Sequence, residues 1–376
     1  MSGRRVMFYV QHLLGIGHLA RASRIARAMI ASGMEVTLVT GGRPVPGFPG
    51  ADIPNVALPG IAVADGGFKG LMDDAGRPVD AAFLDHRRDL LLEAFHRLRP
   101  DIVMIEAFPF GRRQVRFELL PLIDAIEAMA PRPLLVCSLR DILQRHGKPE
   151  RDAETVRLVN AHFDRVLVHG DPAFAALGDS FPLADQIADR VVYTGLVCGA
   201  PPEPPQERFD VVVSAGGGVV GGAVVEAAIG AEALLPGLGR WAVITGPNLP
   251  QEEFDRLAAM ASASVAMMRF RTDFTSLLSV ARLSISQAGY NTVGDVLQAG
   301  CRALLIPYSE GGETEQGDRA ARLARIGRAV VLEEADLSAA AMAEAVKRAL
   351  AQDLSRGAPG ILTDGAFRTA QILTDL

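Results

Sequence analysis

The sequence predicts an α/β fold of two Rossmann-like βαβ domains facing each other across a cleft, and three observations predict it. Short β-branched runs alternate with longer stretches of helical period, the pattern of a parallel sheet covered by helices. The alternation stops at "GAPPEPPQERF", residues 199–209, where four prolines interrupt any regular element, and then begins again. Each half opens with a strand and a glycine-rich turn, the place where ligands bind in such sheets. At 376 residues the chain is also too long for one typical core, so the expected domains are residues 1–200 and 207–376.

The first-half strands are expected at "RVMFYV" (5–10), "EVTLVT" (35–40), "DIVMIE" (101–106), "PLLVCS" (133–138) and "RVLVH" (165–169). Between the first two, Ala22, Ile25, Ala26, Met29 and Ile30 recur at helical spacing and mark one buried face. The second half repeats the scheme with "FDVVVSAGGG" (209–218), "RWAVITG" (240–246), "ARLSISQAG" (281–289), "RALLIPY" (302–308) and "RAVVLE" (328–333). No sequence repeat links the halves. The tail "DGAFRTAQILTDL" reads as a final helix, expected to cross back to the first domain.

Composition narrows the function classes. With 49% hydrophobic and 22% charged residues the chain reads as a soluble globular protein, and its net charge of −6 argues against a nucleic-acid binder. Cys137, Cys198 and Cys301 are odd in number and far apart, which supports neither a disulfide framework nor a zinc site. "VMFYV" is too short for a signal-peptide core, and no apolar run approaches the ~18 residues of a spanning helix. The expectation is a cytoplasmic protein, with peripheral contact at the inner face of the membrane left open.

The first glycine-rich loop, "QHLLGIGHLARASR" (11–24), raises a choice. Gly15, Gly17 and Ala20 fit the dinucleotide fingerprint, but four residues separate the strand from the first glycine. The second strand also ends in Thr40, where a ribose-binding acid belongs. A nicotinamide cofactor is therefore not expected. What remains is a tight turn that presents His18 at a helix N-terminus, where the dipole keeps the imidazole neutral and able to accept a proton. A lone histidine there also serves simply as a cap or a packing residue.

The second glycine-rich turn, "SAGGGVVGG" (214–222), places Gly216, Gly217 and Gly218 between a strand and a helix. Bare backbone N–H groups at that point suit a diphosphate, although a tight turn uses glycine for packing alone. The longest informative stretch is "SISQAGYNTVGDVLQAGCRALLIPYSEGGETEQGDRAARLARIG", residues 284–327. It resembles the donor-binding signature of family 28 glycosyltransferases, which have the GT-B fold. "GIGHLARA" is similar to the glycine–histidine loop of the same family's acceptor domain, and "SAGGGVVGG" to its phosphate turn.

That resemblance implies an inverting, metal-independent glycosyltransferase with no cofactor. It would take a nucleotide-sugar, uridine diphosphate-linked, and an unidentified small-molecule or lipid-linked acceptor. The absence of any D-x-D motif agrees with metal independence. By resemblance Asp295 binds the ribose, where the family's best-known member has glutamate. Glu315 and Gln316 touch the donor sugar, Phe270 packs the uracil, and Gln287, Gly289, Asn291 and Thr292 complete the donor turn. Each has a plainer reading: Thr292 and Asp295 as a capping box, Glu315 and Gln316 as solvated first-turn residues, Phe270 as core.

On the acceptor side, Gly15, Gly17 and Arg21 belong to the histidine loop. Glu106 ends a strand and would position the acceptor or act as base. Arg112 and Arg113 would receive a phosphate on it, or form a solvated cluster. Two other activities share parts of this set. A nucleotide-sugar hydrolase of the pseudaminic-acid pathway has a similar loop with the arginine supplied by Arg21, and there the histidine activates water. A non-catalytic nucleotide-sugar binding module would keep Asp295 and the glycine turn without needing His18.

Overall fold

The computed structural model describes residues 3–13, 16–63, 70–145, 147–199, 202–216, 221–246, 249–309, 312–354 and 360–376. The chain divides into two compact units, Met1–Val197 with Asp364–Leu376, and Cys198–Thr363.

The first unit runs β1 (Arg5–Val10), α1 (Gly17–Ala31), β2 (Glu35–Thr40), β3 (Asn55–Ala57), a small antiparallel pair β4 (Ala62–Val63) and β5 (Leu71–Met72), then α2 (Ala81–Leu98) and β6 (Ile102–Glu106). It continues with α3 (Arg116–Ala128), β7 (Leu134–Arg140), α4 (Pro149–His162), β8 (Arg165–His169) and β9 (Val191–Tyr193). Seven strands pair in the order β3-β2-β1-β6-β7-β8-β9, and every pairing is parallel. Parallel strands covered on both faces need continuous apolar runs, and β1, β6 and β8 supply them. Met7, Tyr9, Val103, Ile105, Val166 and Val168 join Leu91, Phe95, Leu119 and Leu122 from the helices in one core. The helical face read from sequence packs as expected at Ala22, Ile25, Ala26 and Met29, with Ile30 half-buried.

The second unit runs β10 (Val211–Ser214), α5 (Gly222–Ala233), β11 (Trp241–Ile244), α6 (Gln251–Met260), β12 (Val265–Met268), α7 (Phe274–Val280), β13 (Leu283–Ser286) and α8 (Tyr290–Ala299). After these come β14 (Arg302–Leu305), α9 (Glu315–Arg325), β15 (Val330–Val331) and α10 (Ala339–Leu350). Its six parallel strands order as β12-β11-β10-β13-β14-β15, again the doubly wound arrangement. Trp241, Val213, Ile285 and Leu304 form its core with Val225, Ala228, Met342 and Val346.

The last helix, α11 (Gly365–Asp375), belongs to the first unit and packs against α1. Its entry is tight, because a Cβ on Gly365 would lie 2.2 Å from the Gly195 carbonyl oxygen. Besides the small pair β4 and β5, three strands of the two main sheets go beyond the sequence reading: β3, β9 and β12. Each is only three or four residues long, too short to carry a periodic signal of its own. Among the described residues no helix is long and apolar enough to cross a membrane.

Candidate active site

In each sheet the chain reverses direction across one strand pair, β1/β6 in the first unit and β10/β13 in the second. At such a switch point the connections leave to opposite sides, and a crevice opens beyond the strand C-termini. The sequence-predicted residues that the structure describes lie largely around these two places.

In the first unit, His18 is the second residue of α1 and Glu106 the last of β6. The His18 Nδ1 stands 2.9 Å from Glu106 Oε1. Arg21, one turn along the same helical face, donates its Nη2 to that same oxygen. The second carboxylate oxygen is held from the neighbouring strand. Glu106 and Ser138 are directly paired in the β6–β7 register, and Ser138 Oγ lies 2.5 Å from Oε2. Behind Ser138, His169 Nε2 approaches its Oγ at 2.9 Å, and Thr194 Oγ1 lies 2.9 Å from His169 Nδ1. Glu106, Ser138, His169 and Thr194 are all fully buried, whereas the His18 side chain keeps 16% of its surface exposed.

Burial and charge set the protonation of this group. Burial first, and the Arg112 guanidinium second, bring the His18 imidazole down to about 3, against an opposing pull from Glu106. Burial works to raise the Glu106 carboxyl, but Arg21, His18 and Ser138 together hold it well below the usual carboxylate range. The sequence predicts a neutral His18 from the helix dipole, and burial with Arg112 works in the same direction. His18 Nδ1 has two neighbours, Glu106 Oε1 at 2.9 Å and Arg21 Nη2 at 3.3 Å. The nearer one is an anion that can only accept, and Arg21 is already committed to that carboxylate, so the arrangement favours the proton on Nδ1 and the lone pair on Nε2.

Arg112 has a left-handed backbone, φ 59°, unusual for a side chain of that size. Its Nε is buried without a hydrogen-bond partner. Burial lowers the guanidinium to about 10, with Arg140 and Arg21 adding to the effect and Glu106 opposing it. Arg113 is used differently: it pairs with Glu154 at 2.5 Å, and Arg116 holds the same carboxylate. Gly17 opens α1, and Gly15 lies outside the described residues. The base of the loop is fixed by a buried cluster in which Arg87 holds Glu118 at 2.7 Å and Gln11 at 2.6 Å, while Tyr9 donates to Glu118.

In the second unit, Gly216 has φ +79°, and a Cβ there would come within 2.8 Å of Gln287 Oε1. The Gln287 Nε2 is buried without a partner, so this turn holds an unused donor. Gly217 and Gly218 lie outside the described residues. Helix α8 begins at Tyr290 with Gly289 as its N-cap and no side-chain cap. Thr292 is therefore inside the helix, and the capping box drawn from Thr292 and Asp295 does not form. Asp295 is buried at 6% exposure, and Asn291 stands in the first turn of the same helix.

Gln316 Oε1 accepts from the backbone N–H of Ala288 at 3.0 Å and Tyr308 at 3.2 Å, joining the turns that follow β13 and β14. Glu315 is 4% exposed, not a solvated first-turn residue, and its Oε1 accepts from Arg319 at 2.8 Å. Arg319 also donates to the Ala288 carbonyl at 2.9 Å. Phe270 follows β12 and is 59% exposed, which excludes the core reading. It lines a groove of about 490 Å³ with Arg271, Thr272, Asp273 and the 203–206 segment. Among the described residues no group of three or more His, Cys, Asp or Glu is placed to hold a metal ion.

Sequence reasoning passed over Ser138, His169, Thr194 and Arg319. A signal existed for three of them. Ser138 and His169 each close an apolar run with a polar side chain, as Glu106 does, and Arg319 follows Glu315 at i+4. Thr194 carries none, since β9 was not visible.

Comparison with known proteins gives a consistent picture. Residues 216–359 match the model of the glycosyltransferase family 28 C-terminal domain. Among curated proteins, the chain is 25% identical over 349 residues to the UDP-N-acetylglucosamine--N-acetylmuramyl-(pentapeptide) pyrophosphoryl-undecaprenol N-acetylglucosamine transferase of Burkholderia cenocepacia, covering 87% of this chain and 83% of that protein. The protein of the same name from Paraburkholderia phytofirmans is 24% identical, covering 95% and 91%. Among solved structures, the glycotransferase of kitacinnamycin superposes with a TM-score of 0.66 at 15% identity, covering 99% of both chains. Acinetobacter baumannii MurG superposes with a TM-score of 0.59 at 16% identity, covering 98% of this chain and 95% of its own. The shared architecture is the GT-B fold of two Rossmann-like domains.

Proposed function

We propose, from the premise that this chain is a glycosyltransferase with a family 28 C-terminal domain in residues 216–359, that it moves a sugar from a uridine diphosphate-linked donor to a hydroxyl of a small or lipid-linked acceptor. The transfer inverts the anomeric centre and uses no metal. The observation that carries this reading is the His18–Glu106 pair at the switch point of the first sheet, with the imidazole Nε2 free to accept a proton.

In this mechanism His18 Nε2 takes the acceptor hydroxyl proton as that oxygen attacks the anomeric carbon. The bond to the donor diphosphate breaks on the opposite face, which produces inversion. Glu106 is buried and has both oxygens engaged, so its part is to orient the imidazole and stabilise the imidazolium rather than to meet the acceptor. Arg112 faces an acceptor anion, and Gly15, Gly17 and Arg21 shape the loop. An anion beside Arg112 would offset the guanidinium that depresses His18 and so raise the basicity of the ring when substrate is present. Arg113, already paired with Glu154, drops out of this assignment.

In the donor unit, backbone N–H groups of the Gly216–Gly218 turn and the N-terminus of α5 stabilise the leaving diphosphate. Asp295 accepts from the ribose hydroxyls, Phe270 stacks on the base, and Gln287, Gly289, Asn291, Thr292, Glu315 and Gln316 surround the sugar. The names of the sequence relatives support uridine. A spinosyn rhamnosyltransferase with a TM-score of 0.58 was solved with thymidine diphosphate, so the fold alone does not choose the base. A lipid-linked acceptor would bring the protein to the inner membrane surface.

The test is incubation of the purified protein with UDP- and TDP-sugars, with and without a bacterial lipid extract, reading nucleoside diphosphate release. Release from UDP-sugars only with the extract, and sugar recovered in the lipid phase, is the expected result. Release to free sugar without an acceptor would establish the hydrolase instead. Nucleotide binding with no release under either condition would leave the binding module.

A further inference from the structure

We infer that Ser138, His169 and Thr194 are positioning residues, a buried one-way chain of hydrogen bonds that fixes the Glu106 carboxylate and, through it, the tautomer of His18. The inference rests on His18 acting as the base.

The direction of the chain follows from counting protons. Glu106 is ionised and can only accept, so the single proton of Ser138 Oγ goes to Oε2, 2.5 Å away. Ser138 must then accept from its other neighbour, and His169 Nε2 at 2.9 Å is therefore N–H. Burial, with a smaller push from Arg21, brings His169 down to about 3, so the ring is neutral and its Nδ1 is an acceptor. The Thr194 hydroxyl faces it at 2.9 Å, nearer than the Gly195 and Val168 carbonyl oxygens at 3.1 and 3.5 Å that compete for the same proton. With that proton on His169 Nδ1, every proton of the chain points toward Glu106.

Packing alone does not call for this arrangement. A buried hydroxyl and imidazole cost desolvation that apolar side chains of the same shape would avoid. What the chain adds is orientation. With Oε2 tied to Ser138, Oε1 stays turned to His18 Nδ1, which keeps that nitrogen protonated and leaves Nε2 bare. Without it, the carboxylate keeps Arg21 but gains freedom to rotate, and the neutral imidazole can adopt the tautomer that blocks catalysis.

The experiment uses His169→Phe and Ser138→Ala, which break the chain, and His169→Gln, which restores an amide N–H near the Nε2 position. The expected result is a roughly 10- to 100-fold fall in kcat for the breaking variants, by analogy with the outer hydrogen-bond partners of metal-ligating side chains, with KM for the nucleotide-sugar unchanged. His169→Gln should recover most of that loss. In a Glu106→Gln background His169→Phe should cost little more, because its effect passes through the carboxylate. The ¹⁵N NMR signals of His18 should report the Nδ1–H tautomer in the native protein and a mixture in the breaking variants.

Equal losses from His169→Phe with and without Glu106, or unchanged His18 nitrogen signals in both His169→Phe and Ser138→Ala, would overturn the inference. A His18→Ala protein with undiminished transfer would instead refute the base reading, and the NMR comparison would still report on the chain itself.

Discussion

His18 lies where burial and Arg112 both work against its protonated form, and only Glu106 favours it. With the neutral ring as the base, as proposed, activity should persist as pH falls through 6.5 and be lost only lower, as the ring finally takes a proton. The acid limb of kcat/KM, which reports the free enzyme, should lie well below 6.5, and Arg112→Gln should move it upward. A native limb at or above 6.5 in the pH–rate profile would contradict this electrostatic picture. For Asp295→Ala, nucleotide affinity measured by calorimetry should fall by about 1.5–3 kcal/mol, the range for hydrogen bonds to a charged group. No capping energy is lost with it, since α8 is capped at Gly289. His18 and Glu106 stood out as candidates in the sequence because each is a reactive side chain beside a glycine turn or at a strand end, whereas Asp295 was named only by the family resemblance. Ser138 and His169 were read only as the tails of apolar strands. Their pairing depends on the β6–β7–β8 register, which a single sequence does not reveal.

At the scale of elements, α11 shows how a strand-and-helix reading can locate a segment without its reason for staying there. It enters the first unit at Gly365, where the Gly195 carbonyl leaves no room for a Cβ and the backbone pairs Asp364 with Val197. Gly365→Ala should force backbone movement and destabilise that unit by about 1–3 kcal/mol, measurable by chemical denaturation; an unchanged midpoint would mean that the entry can relax. In the second unit, Glu315 and Arg319 on α9 form a buried pair that also secures the Ala288 carbonyl. Arg319→Leu should cost about 3–5 kcal/mol, because it leaves the carboxylate buried with its cation removed. Unaltered stability of that variant would show the pair to be dispensable. The long central strands and helices were readable from period and β-branching. The short edge strands β3, β9 and β12 form because a neighbouring strand offers a partner.

For the whole molecule, the buried imidazoles make stability pH-dependent. Unfolded histidine binds a proton below about 6.5, whereas folded His18 and His169 do so only near 3. The unfolded chain therefore carries more protons between those values, and stability falls as pH falls through that window. The slope is at most about 1.4 kcal/mol per pH unit for each ring. Glu106, whose folded carboxyl is held low, adds a loss in the same direction once pH drops below the ordinary carboxylate value of 4.5. Denaturation midpoints of the first unit between pH 6.5 and 4.5 should decline accordingly, and more gently in His169→Gln; a flat profile would mean that the rings gain protons in place.

The central claim is a division of labour, with proton abstraction in the first unit and nucleotide binding in the second. It is tested most directly by measuring turnover and nucleotide affinity together in His18→Ala. The account predicts a fall in kcat of roughly 10²- to 10⁴-fold with nucleotide affinity unchanged. Turnover and affinity falling together, or near-native turnover, would contradict it.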